Sequence, residues 1–85
     1  MTQTIHSAGQ SALITALTEA RRAADLTQAA LAARLHCHQS MIARIESGER
    51  RIDVVELVVL ARAIGVDARD ILSTVIPAVQ PDQRL

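Results

Sequence analysis

The sequence predicts an all-α domain, and three observations carry that reading. Apolar residues recur at helical spacing through most of the chain, with no strand-like alternation. The chain is 49% hydrophobic yet contains no Phe, Trp or Tyr, so its core has to be built from Ala, Leu, Ile and Val. A sheet would normally draw on aromatic residues. Finally, capping residues stand where the periodic segments begin, and glycines where two of them end. With 85 residues there is room for one domain only.

The elements follow in order. Residues 1–9 are small and polar and read as a flexible arm. A first helix is expected over 10–24, where Leu13, Ile14, Leu17 and Ala20 form one stripe. Asp25 and Leu26 interrupt it. Thr27 is a candidate N-cap, because its hydroxyl can accept a free amide of the next turn. A short Ala-rich second helix runs over 28–35, with Leu31 and Leu35 on one face. His36, Cys37 and His38 form the next break. The third helix covers 39–47 and stops at Gly48, a left-handed cap. Asp53 and Glu56 have the spacing of a capping box and open the fourth helix, which Gly65 ends. Its core stripe is read as Val54, Leu57, Val58, Ala61 and Ile64. Asp67 and Asp70 resemble a weaker box, opening a fifth helix to about residue 76. Pro77 starts an aperiodic tail, so the domain proper is placed at 10–76 and the tail at 77–85.

Composition excludes several classes. No apolar run reaches the roughly 18–20 residues that span a bilayer. The start of the chain lacks the basic and apolar regions of a secretory signal. The single cysteine, Cys37, cannot form an internal disulfide, and a reducing cytoplasm is the simplest compartment. Paired carboxylates at a cleft, a nucleophile with its base and a Gly-rich phosphate loop are all missing, so no enzyme activity is expected. No cofactor and no metal are expected either. His36, Cys37 and His38 invite a metal reading, but consecutive residues on one turn rarely converge on one ion.

The charge is zero in total and uneven in distribution. Residues 1–20 carry −1. Residues 21–51 carry six Arg against Asp25, Glu46 and Glu49, or +3. Residues 52–85 carry −2. A basic middle permits a polyanion-binding surface; the alternative is an ordinary solvated face. Two short helices across a three-residue break form the layout of a helix-turn-helix. The third helix has two faces. Cys37, Met41, Ile42 and Ile45 lie on one, and Gln39, Ser40, Ala43 and Arg44 on the other. An amide can pair with adenine and a guanidinium with guanine in a major groove. A solvent face would also be polar, though usually richer in Glu and Lys.

Residues 17–72 resemble the Xre-type helix-turn-helix domain of the lambda repressor and Cro family. The residues that carry the resemblance are Arg21; Leu26-Thr27-Gln28-Ala29 with Leu31-Ala32; Gln39-Ser40-Met41-Ile42-Ala43-Arg44-Ile45-Glu46-Ser47-Gly48; and Leu60-Ala61-Arg62-Ala63-Ile64-Gly65-Val66. The resemblance implies a five-helix lambda-repressor-like fold with a short C-terminal extension. It implies base-reading positions at His38, Gln39, Ser40, Ala43 and Arg44. Phosphate contacts fall on Thr27, Gln28, Arg50 and Arg51, with Gln28 also bracing Gln39, and amides of 47–51 gripping the DNA backbone. A structural ion pair falls on Arg21 and Glu46. Three departures stand out. His36 occupies a turn position where the family commonly has Gly and a positive φ. His38 stands where Ser or Thr usually caps the third helix, and a neutral imidazole can accept an amide there. Cys37 replaces an aliphatic residue, so a buried structural thiol is expected, with redox sensing as the alternative.

The fourth helix is apolar on more than one side. Val55 and Val59 form a second stripe, and Ile71, Val75, Ile76 and Val79 add further apolar surface. These six are expected to form a homodimer interface. The alternative is a tail folded back over the fourth helix. The function expected is sequence-specific binding of double-stranded DNA by a transcriptional regulator. A repressor acting as a homodimer on an inverted-repeat operator is the specific form. The alternative is an antitoxin or antiactivator-type module whose apolar C-terminal part binds a second protein.

Overall fold

A computed structural model of the protein describes residues 7–85. It is helical throughout, with no strand among the described residues: α1 (Ala8–Ala23), α2 (Gln28–Leu35), α3 (Gln39–Glu46), α4 (Val54–Ile64), α5 (Ala68–Val75) and a 3-10 turn (Ile76–Ala78). α1 begins two residues before the expected 10 because Ser7 caps it, accepting the amide of Gln10 at 3.2 Å. The expected arm therefore yields its last residues to the cap and first turn, and residues 1–6 lie outside the described residues.

The local signals at the other ends act largely as read. Thr27 caps α2 by accepting from the Ala30 amide at 3.0 Å. Asp53 and Glu56 form a reciprocal capping box. Gly48 and Gly65 adopt φ of +85° and +98°, the left-handed conformation that ends α3 and α4 without a Cβ penalty. Asp67 differs: it accepts from Arg69 rather than from Asp70, so α5 has a single-sided cap.

The core is aliphatic. Leu17, Leu31, Ala32, Ile42, Ile45, Ile52, Leu57, Leu60, Ala61, Ile64 and Ile71 are buried. α1 packs against α3, α4 and α5, while α2 packs on α3 and α4. Two expectations change here. Val54 is 77% exposed, and Leu60 takes the place it was given in the core stripe. Both lie on a helix apolar nearly all round, so periodicity cannot choose which side faces inward. Ile71, expected at a dimer interface, is 6% exposed and belongs to the core. Val75 is half-buried.

The tail folds back, but onto α1 rather than α4. The 3-10 turn packs against α1. Val79 sits so close to Gly9 that a Cβ there would lie 2.7 Å from its Cγ2 atom. Glycine at position 9 is thus a packing requirement.

Candidate nucleic-acid interface

α2 and α3 are joined by a turn whose shape depends on His36. Its φ of 55° and ψ of 41° place it in the left-handed region, as its turn position requires. The amides of His36 and Cys37 return to the carbonyls of Ala33 and Ala32 and close the end of α2. His38 starts α3 in an extended conformation, but its side chain makes no capping hydrogen bond. The imidazole cap that its position allows does not form. Cys37 is half-buried in an apolar recess lined also by Leu35, Met41 and Val59.

α3 is held from below by apolar contacts and from one end by ions. Ile42 and Ile45 are buried, with Met41 half-buried beside them. On the other side His38, Gln39, Ser40 and Arg44 are exposed, and Ala43 is half-buried. At the C-terminal end, Glu46 accepts from Arg21 Nε at 2.7 Å and from Arg21 Nη2 at 2.8 Å. Arg21 Nη1 donates to the Leu26 carbonyl at 2.7 Å. The ion pair joins α1 to α3 and ties both to the start of α2. Its side chains are only 8% and 10% exposed. Burial works against the charged form of Glu46. The hydrogen bonds from Arg21 and Gln28 and the charges of Arg21 and Arg22 outweigh it, holding the carboxyl below its ordinary range. The same hydrogen bond raises Arg21 against its own desolvation.

Gln28 links this pair to the exposed face. Its Nε2 donates to Glu46 at 2.9 Å, and its Oε1 accepts from Gln39 Nε2 at 2.6 Å. The bracing of Gln39 by Gln28 is present, and it continues to Glu46, a link that neither the residue spacing nor the resemblance implies. The other end of the exposed face is looser. Among the described residues Arg44 meets only Glu49 by charge, at 3.9 Å, with both side chains more than half exposed. Such a contact contributes about 0–1 kcal/mol.

The loop after α3 departs from expectation in two ways. The amides of Ser47, Gly48, Glu49 and Arg50 all donate to carbonyls of α3, so the loop presents side chains rather than amides. Arg50, expected on phosphate, is half-buried and pairs with Glu56 at 2.6 and 3.2 Å. That hydrogen bond, with the Asp53 amide, lowers the Glu56 carboxyl. Arg50 thereby fastens the loop to the capping box of α4. Arg51 is exposed. Thr27 keeps its hydroxyl proton for donation, because its oxygen is the acceptor in the cap. Among the described residues no three His, Cys, Asp or Glu are grouped to hold a metal, and no helix is long and apolar enough to cross a membrane.

A trihelical scaffold that exposes the polar side of α3 across a tight turn is the arrangement of a helix-turn-helix DNA reader. The sequence pattern of the helix-turn-helix family matches residues 17–71. The chain belongs to that family, in its Xre type, and is a DNA-binding transcription regulator. It is similar to a solved XRE-family like protein from Pseudomonas syringae pv. tomato str. DC3000, with 44% identity and a TM-score of 0.81. The likeness covers 93% of this chain and 96% of that one. No curated protein was found to match.

Proposed function

We propose that the protein is a repressor that binds an inverted-repeat operator as a homodimer, with α3 in the major groove. The observation that carries this reading is the two-sided character of α3. Its apolar side is locked into the core, and His38, Gln39, Ser40 and Arg44 project outward with Ala43 between them. These five residues face base edges. Thr27 and Gln28 open α2, whose N-terminal dipole favours an anion, and together with Arg51 they hold phosphates. Arg50 acts as a strut rather than a contact.

Val55, Val59, Ile76 and Val79 are exposed apolar residues, and Leu72 joins them at 45% exposure. A second copy covering them sets two recognition helices about one DNA turn apart, roughly 34 Å. The same exposure supports a second reading, in which this surface grips a different protein, as in an antitoxin or antiactivator.

Selection of bound duplexes from a random pool, at about 150 mM salt to suppress non-specific capture, tests the proposal. Enrichment of an inverted repeat supports it. Enrichment of a single half-site argues against the dimer, and no enrichment argues against base reading by this chain alone. Sedimentation of Val59→Glu checks the interface: a monomer is expected, and an intact dimer moves the interface off α4.

A further inference from the structure

Gln39 and Glu46 stand at opposite ends of α3, yet one chain of hydrogen bonds joins them through Gln28. The direction of that chain is set at Glu46. A carboxylate only accepts hydrogen bonds. Two N–H groups of Arg21 occupy one side of it, and Oε1 also receives Gln28 Nε2 at 2.9 Å. The NH2 group of Gln28 must therefore face Glu46. Its carbonyl oxygen must point the other way, where it takes a hydrogen from Gln39 Nε2 at 2.6 Å. This turns the NH2 group of Gln39 inward. What Gln39 keeps for an incoming base is its carbonyl oxygen and one N–H.

We propose that Glu46 determines which base Gln39 reads, by fixing the direction of two amides in series. One acceptor beside one donor matches adenine, which offers the N7 acceptor and the N6–H donor in the major groove. Were Gln28 free to turn over, its NH2 group would meet the Gln39 carbonyl. Gln39 would then turn its carbonyl inward and its NH2 group outward, and two N–H donors match the N7 and O6 acceptors of guanine. Glu46 never touches DNA in this scheme. It is a positioning residue, and its influence on specificity is separate from its ion pair with Arg21. The inference rests on Gln39 being a base contact.

Competition binding on duplexes varied one base pair at a time separates the two ideas. Gln39→Ala first identifies the base pair that Gln39 reads, as the position whose preference flattens. At that position the wild-type protein is expected to prefer adenine. Glu46→Gln, measured at low temperature with folding checked by circular dichroism, is expected to lower the adenine-to-guanine ratio by about tenfold. The ratio at the position read by Arg44 stays unchanged. Gln28→Met breaks the relay while leaving the Arg21–Glu46 pair intact, and is expected to give the same local loss. Where Gln28 also holds a phosphate, its replacement weakens all duplexes alike and the effect cancels in the ratio. If Gln39→Ala flattens no position, the base-reading assignment fails. If it flattens one that stays adenine-specific in Glu46→Gln and Gln28→Met, or that prefers guanine in the wild type, the relay is overturned.

Discussion

The two ends of the recognition helix are built on different principles. At the start of α3, Gln39 is tied through Gln28 and Glu46 to an arginine that is 7% exposed. At the end, Arg44 has a single exposed carboxylate nearby at 3.9 Å. One exposed side chain inherits its geometry from the core, and the other is free to find its own. Rigid placement favours discrimination, because a wrong base cannot be accommodated by a small rotation. A loose guanidinium tolerates variation in the groove and can shift from Glu49 to a base as DNA approaches. The polar face of one short helix thus holds a fixed side chain and an adaptable one.

The most severe way to break the fixed end is Arg21→Met. It leaves Glu46 uncompensated in a mostly buried site, and a loss of about 3–5 kcal/mol of stability is expected by chemical denaturation. Acid probes the same pair. The folded carboxyl of Glu46 lies below its ordinary value of 4.5. Its stabilisation is therefore complete above that value and is lost as the pH falls through the lowered one. Glu46→Gln should flatten this acid limb of the stability curve; an unchanged limb would place the titration elsewhere. The adaptable end behaves otherwise. Arg44→Ala should cost about 1–3 kcal/mol on the selected site and far less on random DNA, with thermal stability nearly unaltered. Equal losses on both DNAs would remove Arg44 from the reading set.

The loop beyond Arg44 sharpens the contrast further. Arg51→Ala should reduce the salt dependence of binding by about one counterion, whereas Arg50→Ala should leave the slope intact and act on stability alone. The reverse result would return Arg50 to the DNA. The smallest effect is expected at the turn. His36→Gly removes the Cβ strain of a left-handed residue but adds freedom to the unfolded chain, for a net gain of up to about 1 kcal/mol. A fall in melting temperature would mean that the imidazole contributes more than the strain costs.

What the sequence reveals here is what is local. The caps at Thr27 and Asp53 and the left-handed turn at Gly65 depend on a few neighbouring residues, and each is readable without tertiary knowledge, whereas the left-handed turn at His36 is implied only by the family resemblance. The exposed row of α3 is legible for the same reason, since eight residues of strong polarity contrast define both sides. α4 is not legible in this way. Valines and leucines surround its axis, so Val54, expected in the core stripe, is exposed and Leu60, outside that stripe, is buried. Ile71 reads as surplus surface because the depth of α5 against α1 is set by packing between distant segments. Arg50 is placed on phosphate by the family resemblance. Its partner in the structure, Glu56, already has an assigned task in the capping box, and nothing in the spacing reveals the second. The link from Gln28 to Glu46 crosses 18 positions and exists only once α2 and α3 are folded together.

The strut between Arg50 and Glu56 also bears on the heat of association. With the amides of residues 47–50 bonded to α3 and Arg50 fastened to α4, the loop has lost most of its conformational freedom before any DNA arrives. Ordering such a backbone at the moment of contact would oppose association by about 1–2 kcal/mol per residue. That term is largely absent here. Calorimetry should accordingly find a heat-capacity change that tracks the area covered, with no excess from a folding loop.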